Sequence, residues 1–173
     1  MKPKMKPKIS VKQQCIKAGL VAALVVSGSA ISQTLPKEGG YDFTACYSGI
    51  ANLVSLSKTH SGFAYEVTGT NRSNPPGAIM DNTTFRCVGM STSLGAKKTN
   101  YSLCEVVDRD GDKQLAYISL APDGKTSRET VAGTGKYEGM EMSGTLVPLG
   151  SFPFIKPGTF QACNHQTGTY KLK

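Results

Sequence analysis

From Tyr41 onward, apolar and polar side chains alternate with a period of two in short runs. In Phe63-Ala64-Tyr65-Glu66-Val67-Thr68, the larger side chains fall on one side of an extended chain and Ala64, Glu66 and Thr68 on the other. Runs of this kind cover residues 41–56, 62–70, 83–94, 97–109, 112–120, 125–132, 141–148 and 159–172. They favour Val, Ile, Thr, Tyr and Phe, and clusters of Gly, Pro, Asn and Asp separate them, as expected of β-strands and turns. No stretch beyond residue 40 repeats with the helical period of 3.6. Two connections are longer, an irregular one at Asn71–Gly77 and a proline-rich one at Pro148–Gly158. The pattern predicts one all-β domain over 41–173, an eight-stranded antiparallel and mostly up-and-down barrel, with a β-sandwich as the alternative.

The middle of the chain fixes pairings. Gly95-Ala96 suits a two-residue type II′ turn, with glycine in its first central position. Folding the chain there sets Cys87 opposite Cys104, Arg86 opposite Glu105, Val88 opposite Leu103 and Met90 opposite Tyr101. A cysteine pair, an opposite-charge pair and two apolar pairs share one register, and the cysteines fall at a closely spaced site that suits a disulfide. Asp110-Gly111 predicts a type I′ turn, with Asp108 opposite Lys113 and Leu103 opposite Ile118. Pro122-Asp123-Gly124 closes a third hairpin, so 83–132 is a four-stranded meander. In this register Val88, Met90, Tyr101, Leu103, Ile118 and Leu120 share one face; Phe85, Val106, Leu115 and Tyr117 share the other with the disulfide. Which face lines the lumen stays open. Apolar residues on both faces predict that one is covered by a second copy in a homo-oligomer.

The first 30 residues differ from the rest. Lys2, Lys4, Lys6, Lys8, Lys12 and Lys17 precede the apolar run Ala18–Val26, and Ser27-Gly28-Ser29-Ala30 follows. This is the order of a signal peptide, with cleavage expected after Ala30. The apolar run is well short of the roughly 20 residues needed to span a bilayer, so no membrane span is expected in the mature chain. Cys15 leaves with the signal, and residues 31–40 form a polar leader. A bacterial periplasmic or secreted protein is the expected setting.

Removing that segment changes the charge picture. The whole chain has 20 Lys and Arg against 12 Asp and Glu, for a net +8, but six of the lysines and none of the acids lie in residues 1–30. The mature chain is left close to neutral, and Lys97-Lys98 is its one adjacent basic pair. A nucleic-acid partner needs a dense basic footprint, so that class is set aside. Cys46, Cys87, Cys104 and Cys163 remain, an even count that reads as two disulfides in an exported chain. With Cys87–Cys104 fixed by register, Cys46–Cys163 follows by elimination and joins the first and last strands, which are neighbours only in a closed sheet.

Several motifs reduce to turns. Asp108-Arg109-Asp110-Gly111-Asp112 begins like a calcium loop, but Lys113 and Ser119 stand where an EF-hand needs Gly and Glu, so a tight hairpin is expected. Gly133-Thr134-Gly135-Lys136 lacks the earlier glycine and the following hydroxyl of a phosphate loop. His60 and His165, the two histidines, read as solvated residues at strand ends, and no Gly-x-Ser-x-Gly elbow accompanies them. Asn71, Asn82 and Asn100 each match the glycosylation sequon and read as ordinary turn residues. Nothing in the sequence calls for a metal or a cofactor, and no catalytic residue is assigned.

Gly133-Thr134-Gly135-Lys136-Tyr137-Glu138-Gly139, with the Asp110-Gly111-Asp112-Lys113 hairpin before it, resembles the glycine-rich segment of the allene oxide cyclase and dirigent barrels. The resemblance covers residues 105–150. It implies an eight-stranded calycin-like barrel, often trimeric, with an apolar lumen that holds a small molecule. No catalytic position of that family can be matched here, and the disulfides depart from the cyclases.

The expected function is therefore binding of a small apolar ligand in the barrel lumen. The alternatives are a cofactor-free isomerase or cyclase in the same lumen, and an inhibitor or interaction module of the cell envelope. The candidate ligand site is Arg86, Val88, Met90, Tyr101, Leu103, Glu105 and Ile118: Arg86 to hold a carboxylate, Tyr101 to donate a hydrogen bond, and Glu105 to fix the arginine or accept a proton. The ordinary reading of Arg86 and Glu105 is a cross-strand ion pair on the outer surface.

Overall fold

The computed structural model describes residues 35–121 and 123–173. The segment expected to be a signal peptide, its expected cleavage site and the start of the 31–40 stretch lie outside these residues. The eight antiparallel strands are β1 (Glu38–Ser57), β2 (His60–Ser73), β3 (Thr83–Leu94), β4 (Lys97–Val107), β5 (Lys113–Leu120), β6 (Thr126–Gly133), β7 (Glu141–Ser151) and β8 (Thr159–Lys171). Each pairs with the next, and β8 returns to pair with β1, so the sheet is a closed up-and-down barrel. Among the described residues no helix is long and apolar enough to cross a membrane.

The alternation along each strand sorts side chains into lumen and exterior. On β1 Tyr41, Phe43 and Ala45 are buried, and on β8 Asn164, Gln166 and Tyr170 are. β2 runs on to Ser73, so the irregular connection starts at Asn74, not Asn71. The strand continues because its inward polar side chains find partners. Asn71 Nδ2 donates to Thr83 Oγ1 at 2.9 Å, and Ser73 Oγ donates to the Ile79 carbonyl at 2.6 Å.

The β3–β4 hairpin has the predicted register, with Cys87 opposite Cys104 and Arg86 opposite Glu105. Gly95 carries the positive φ that its turn requires, +66°. Both predicted disulfides are present. Cys87–Cys104 lies inside the barrel, whereas Cys46–Cys163 bridges β1 and β8 with Cys46 exposed.

The next hairpin departs from expectation. Leu103 lies opposite Tyr117 rather than Ile118, and Lys113 opposite Val107 rather than Asp108. Asp108 folds the loop on itself: its Oδ1 accepts the amides of Asp110 and Asp112 at 2.8 and 3.1 Å. That widens a two-residue turn into a loop over 108–112 and slips the register by one. A slip of one moves every side chain of the strand to the opposite face. Ile118 and Leu120 therefore face inward, and Leu115 and Tyr117 outward, so neither predicted face survives intact.

One end of the barrel is plugged. The 74–82 connection folds Ile79 and Met80 under the sheet, where they pack with Tyr41, Phe43, Val106 and Tyr137. Asp81 pins this loop by accepting the amides of Ser73 and Gly77. A short 3-10 turn, Gly135–Tyr137, presses Tyr137 into the same core from the β6–β7 connection. Gly135 has φ +54°, and a Cβ there would strike the Asp112 carboxylate, so glycine is required. The glycine-rich stretch is thus a plug-forming turn, and its Lys136 pairs with Asp108 and Asp110.

Candidate functional site

Above the plug the lumen holds a cavity of about 290 Å³. Its walls are aromatic: Phe43 and Tyr47 from β1, Phe63 and Tyr65 from β2, Phe85 from β3 and Phe160 from β8. The rings meet edge to face, with Tyr47 and Tyr65 each about 6.4 Å from Phe160 between centroids. Val67, the Cys87–Cys104 disulfide and Ile118 complete the apolar wall.

Polar side chains interrupt this wall, and several are held by neighbours. Tyr65 donates its hydroxyl to Asn100 Oδ1 at 3.0 Å. Gln166 Nε2 donates to Asn164 Oδ1 at 2.9 Å, while Gln166 Oε1 is buried without a partner. Burial raises the Tyr47 pKa, against an opposing hydrogen bond with Asn164. Asn71 and Asn100 are thus inward-facing strand residues that line the cavity, not turn residues; Asn82 does lie in a turn.

Arg128 of β6 is the one cationic side chain among the lining residues, and it is 3% exposed. One nitrogen donates to Gln114 Oε1 and another meets the Met142 thioether. The guanidinium stands 5.9 Å from the Phe43 ring centroid. Among the described residues no carboxylate lies within ion-pair distance of it. Burial pushes its pKa down to about 10, against the raising effect of Tyr41 and Tyr137, so it remains a cation at neutral pH.

Of the residues expected to form the ligand site, Ile118 alone lines this cavity. Val88, Met90, Tyr101 and Leu103 stand on the outer face, each between two-fifths and one-half exposed. Arg86 and Glu105 are on that outer face too, and their main partners are not each other. Arg86 Nε meets Glu66 Oε1 at 2.7 Å, and Lys113 Nζ meets Glu105 Oε1 at 2.6 Å. The Cys87–Cys104 bond decides the matter: inward cysteines force Arg86, Val88, Leu103 and Glu105 outward. Arg128 was missed because it lies in Thr126-Ser127-Arg128-Glu129-Thr130, a run with no apolar residue to suggest burial. Its signal was parity, since Arg128 sits opposite Ile118 and shares its face.

His165 also differs from expectation. It lies within β8, not at a strand end, and its Nε2 is 2.8 Å from Asp42 Oδ1 on β1. His60 is exposed at the start of β2.

Beside Phe63, which lines the cavity, a second apolar pocket is lined by Leu53, Phe154 and Ile155. Leu53, Val54 and Leu56 at the β1–β2 tip and Phe154 and Ile155 in the β7–β8 connection are all exposed. No protein-family model, curated protein or solved structure matches the chain.

Proposed function

We propose that this protein is a binding module that holds one small, largely apolar molecule in its barrel lumen. The observation that carries this is the cavity of about 290 Å³ walled by six aromatic rings above a packed plug. Ligand sites are concave and mostly apolar with a few fixed polar groups, and this cavity lies at the small end of their range. The two disulfides fit an oxidising compartment, in keeping with the signal-peptide reading of residues 1–30. The likeness of residues 105–150 to the allene oxide cyclase and dirigent barrels supports a lumen-binding role on the same grounds.

Native mass spectrometry of the folded protein from its source tests the reading. A co-purifying small molecule is expected, and Ile118→Trp, which fills the cavity, should remove it at a stability cost of about 1–3 kcal/mol. Retention of the same molecule by a correctly folded Ile118→Trp variant would place the ligand elsewhere.

A further inference from the structure

We propose that the lumen is built for a monoanion: Arg128 on the cavity floor receives the carboxylate of a ligand whose apolar body lies among the aromatic rings. This rests on the lumen-binding reading and names the class of ligand. Arg128 lines the cavity while almost wholly removed from solvent. A guanidinium carries five N–H donors and no acceptor. Two of its contacts are known, one to the neutral amide of Gln114 and one to a thioether, a weak acceptor. A buried cation normally has a counter-charge, and the described residues supply none at ion-pair distance. The cations that do pair with carboxylates, Arg86, Lys113, Lys125 and Lys136, all lie at the surface, whereas Arg128 is the buried cation among the described residues.

The surroundings fit a carboxylate on an apolar tail. A planar guanidinium matches a carboxylate with two parallel hydrogen bonds, and in a water-poor site such bonds are strong. Gln114 and Phe43 hold the guanidinium from the plug side, by a hydrogen bond and by the ring face. Further up, the walls are rings and aliphatic groups that suit hydrocarbon. One guanidinium opposes one negative charge, so a carboxylate fits better than a dianionic phosphate.

Calorimetry with decanoate and 1-decanol, which differ in the head alone, tests this on the intact disulfide-bonded protein at pH 7. Wild type should bind decanoate at least about tenfold more tightly than 1-decanol, the ratio expected of one charged hydrogen-bonded contact. Arg128→Met fills the same space without charge, and should bring the two affinities together. Arg128→Lys should keep the preference for decanoate in reduced form, and serves if the methionine variant does not fold. Equal affinities in wild type would overturn the carboxylate assignment and leave the lumen reading standing, with water solvating the cation. A preference for decanoate that survives in folded Arg128→Met would also overturn it. Binding of neither probe would overturn both.

Discussion

At the scale of single residues, the parity of a strand position decides its role. Arg86 and Arg128 are both strand arginines, yet one, flanked by Phe85 and Cys87, meets Glu66 in solvent, and the other, in a polar run, lies under a ring of aromatics. The outer face around Arg86 holds Val88, Met90, Tyr101 and Leu103, and apolar exposure of this kind suits contact with a second copy. Arg86→Ala should therefore leave ligand retention unchanged, whereas Leu103→Glu should shift any self-association seen by light scattering. Loss of the ligand in Arg86→Ala would return the site to the outer face. The cysteines sorted the β3–β4 side chains into two faces, but nothing in the sequence said that the face carrying the disulfide is the inner one, so the candidate site fell on the outer face. Arg128 was not readable in this way. Hydrophobic pattern has no vote on a buried cation, whose place depends on partners from other strands.

At the scale of elements, the plug loops matter more than the strands. The strand runs and the β3–β4 register were legible because alternation, a type II′ turn and four cross-strand pairs agree. The β4–β5 register was not, because Asp108 rearranges its own loop by side-chain hydrogen bonds that turn statistics do not weigh. At the closed end, Asp81 anchors the β2–β3 connection, and Asp108 anchors the β4–β5 connection and ties it to Lys136 of the β6–β7 connection. Burial alone would raise both carboxyl pKa values. Hydrogen bonds from backbone amides, with Lys136 added at Asp108, outweigh it and hold both below the usual carboxylate range. A carboxyl lowered on folding stabilises fully above its unfolded pKa of about 3.9 and loses that stabilisation as pH falls through the lower folded value. Acid should therefore loosen the plug below about pH 4. Asp81→Asn with Asp108→Asn should melt lower at pH 7 and show a flatter dependence of Tm on pH between about 2 and 4. An unchanged slope in the double variant would assign acid sensitivity to other groups.

At the scale of the whole molecule, the two disulfides stand on opposite sides of one wall. Cys87 and Cys104 are buried in the lumen, while Cys46 of the Cys46–Cys163 bond is exposed. Access governs thiol exchange, so mild reductant followed by alkylation should label Cys46 and Cys163 and spare the other pair. Labelling of Cys87 and Cys104 in the native protein would contradict the inward placement. The outer bond spans 117 residues and the inner one 17, and a chain-entropy account gives the longer loop about 4–5 kcal/mol and the shorter about 3. The pairing of β1 with β8 has a consequence in time. Twelve further contacts besides the cysteine pair align Glu38–Ile50 with Thr159–Lys171, and all of them join the two extremes of the domain. Such contacts give the barrel a high contact order, and their loop-closure entropy must be met before they reward the chain. During synthesis the free edge of β1 waits for the whole domain to appear, exposed to pairing with the wrong neighbour. The slow and hazardous step of making this protein is thus its last one, the arrival of β8 at a strand made long before it.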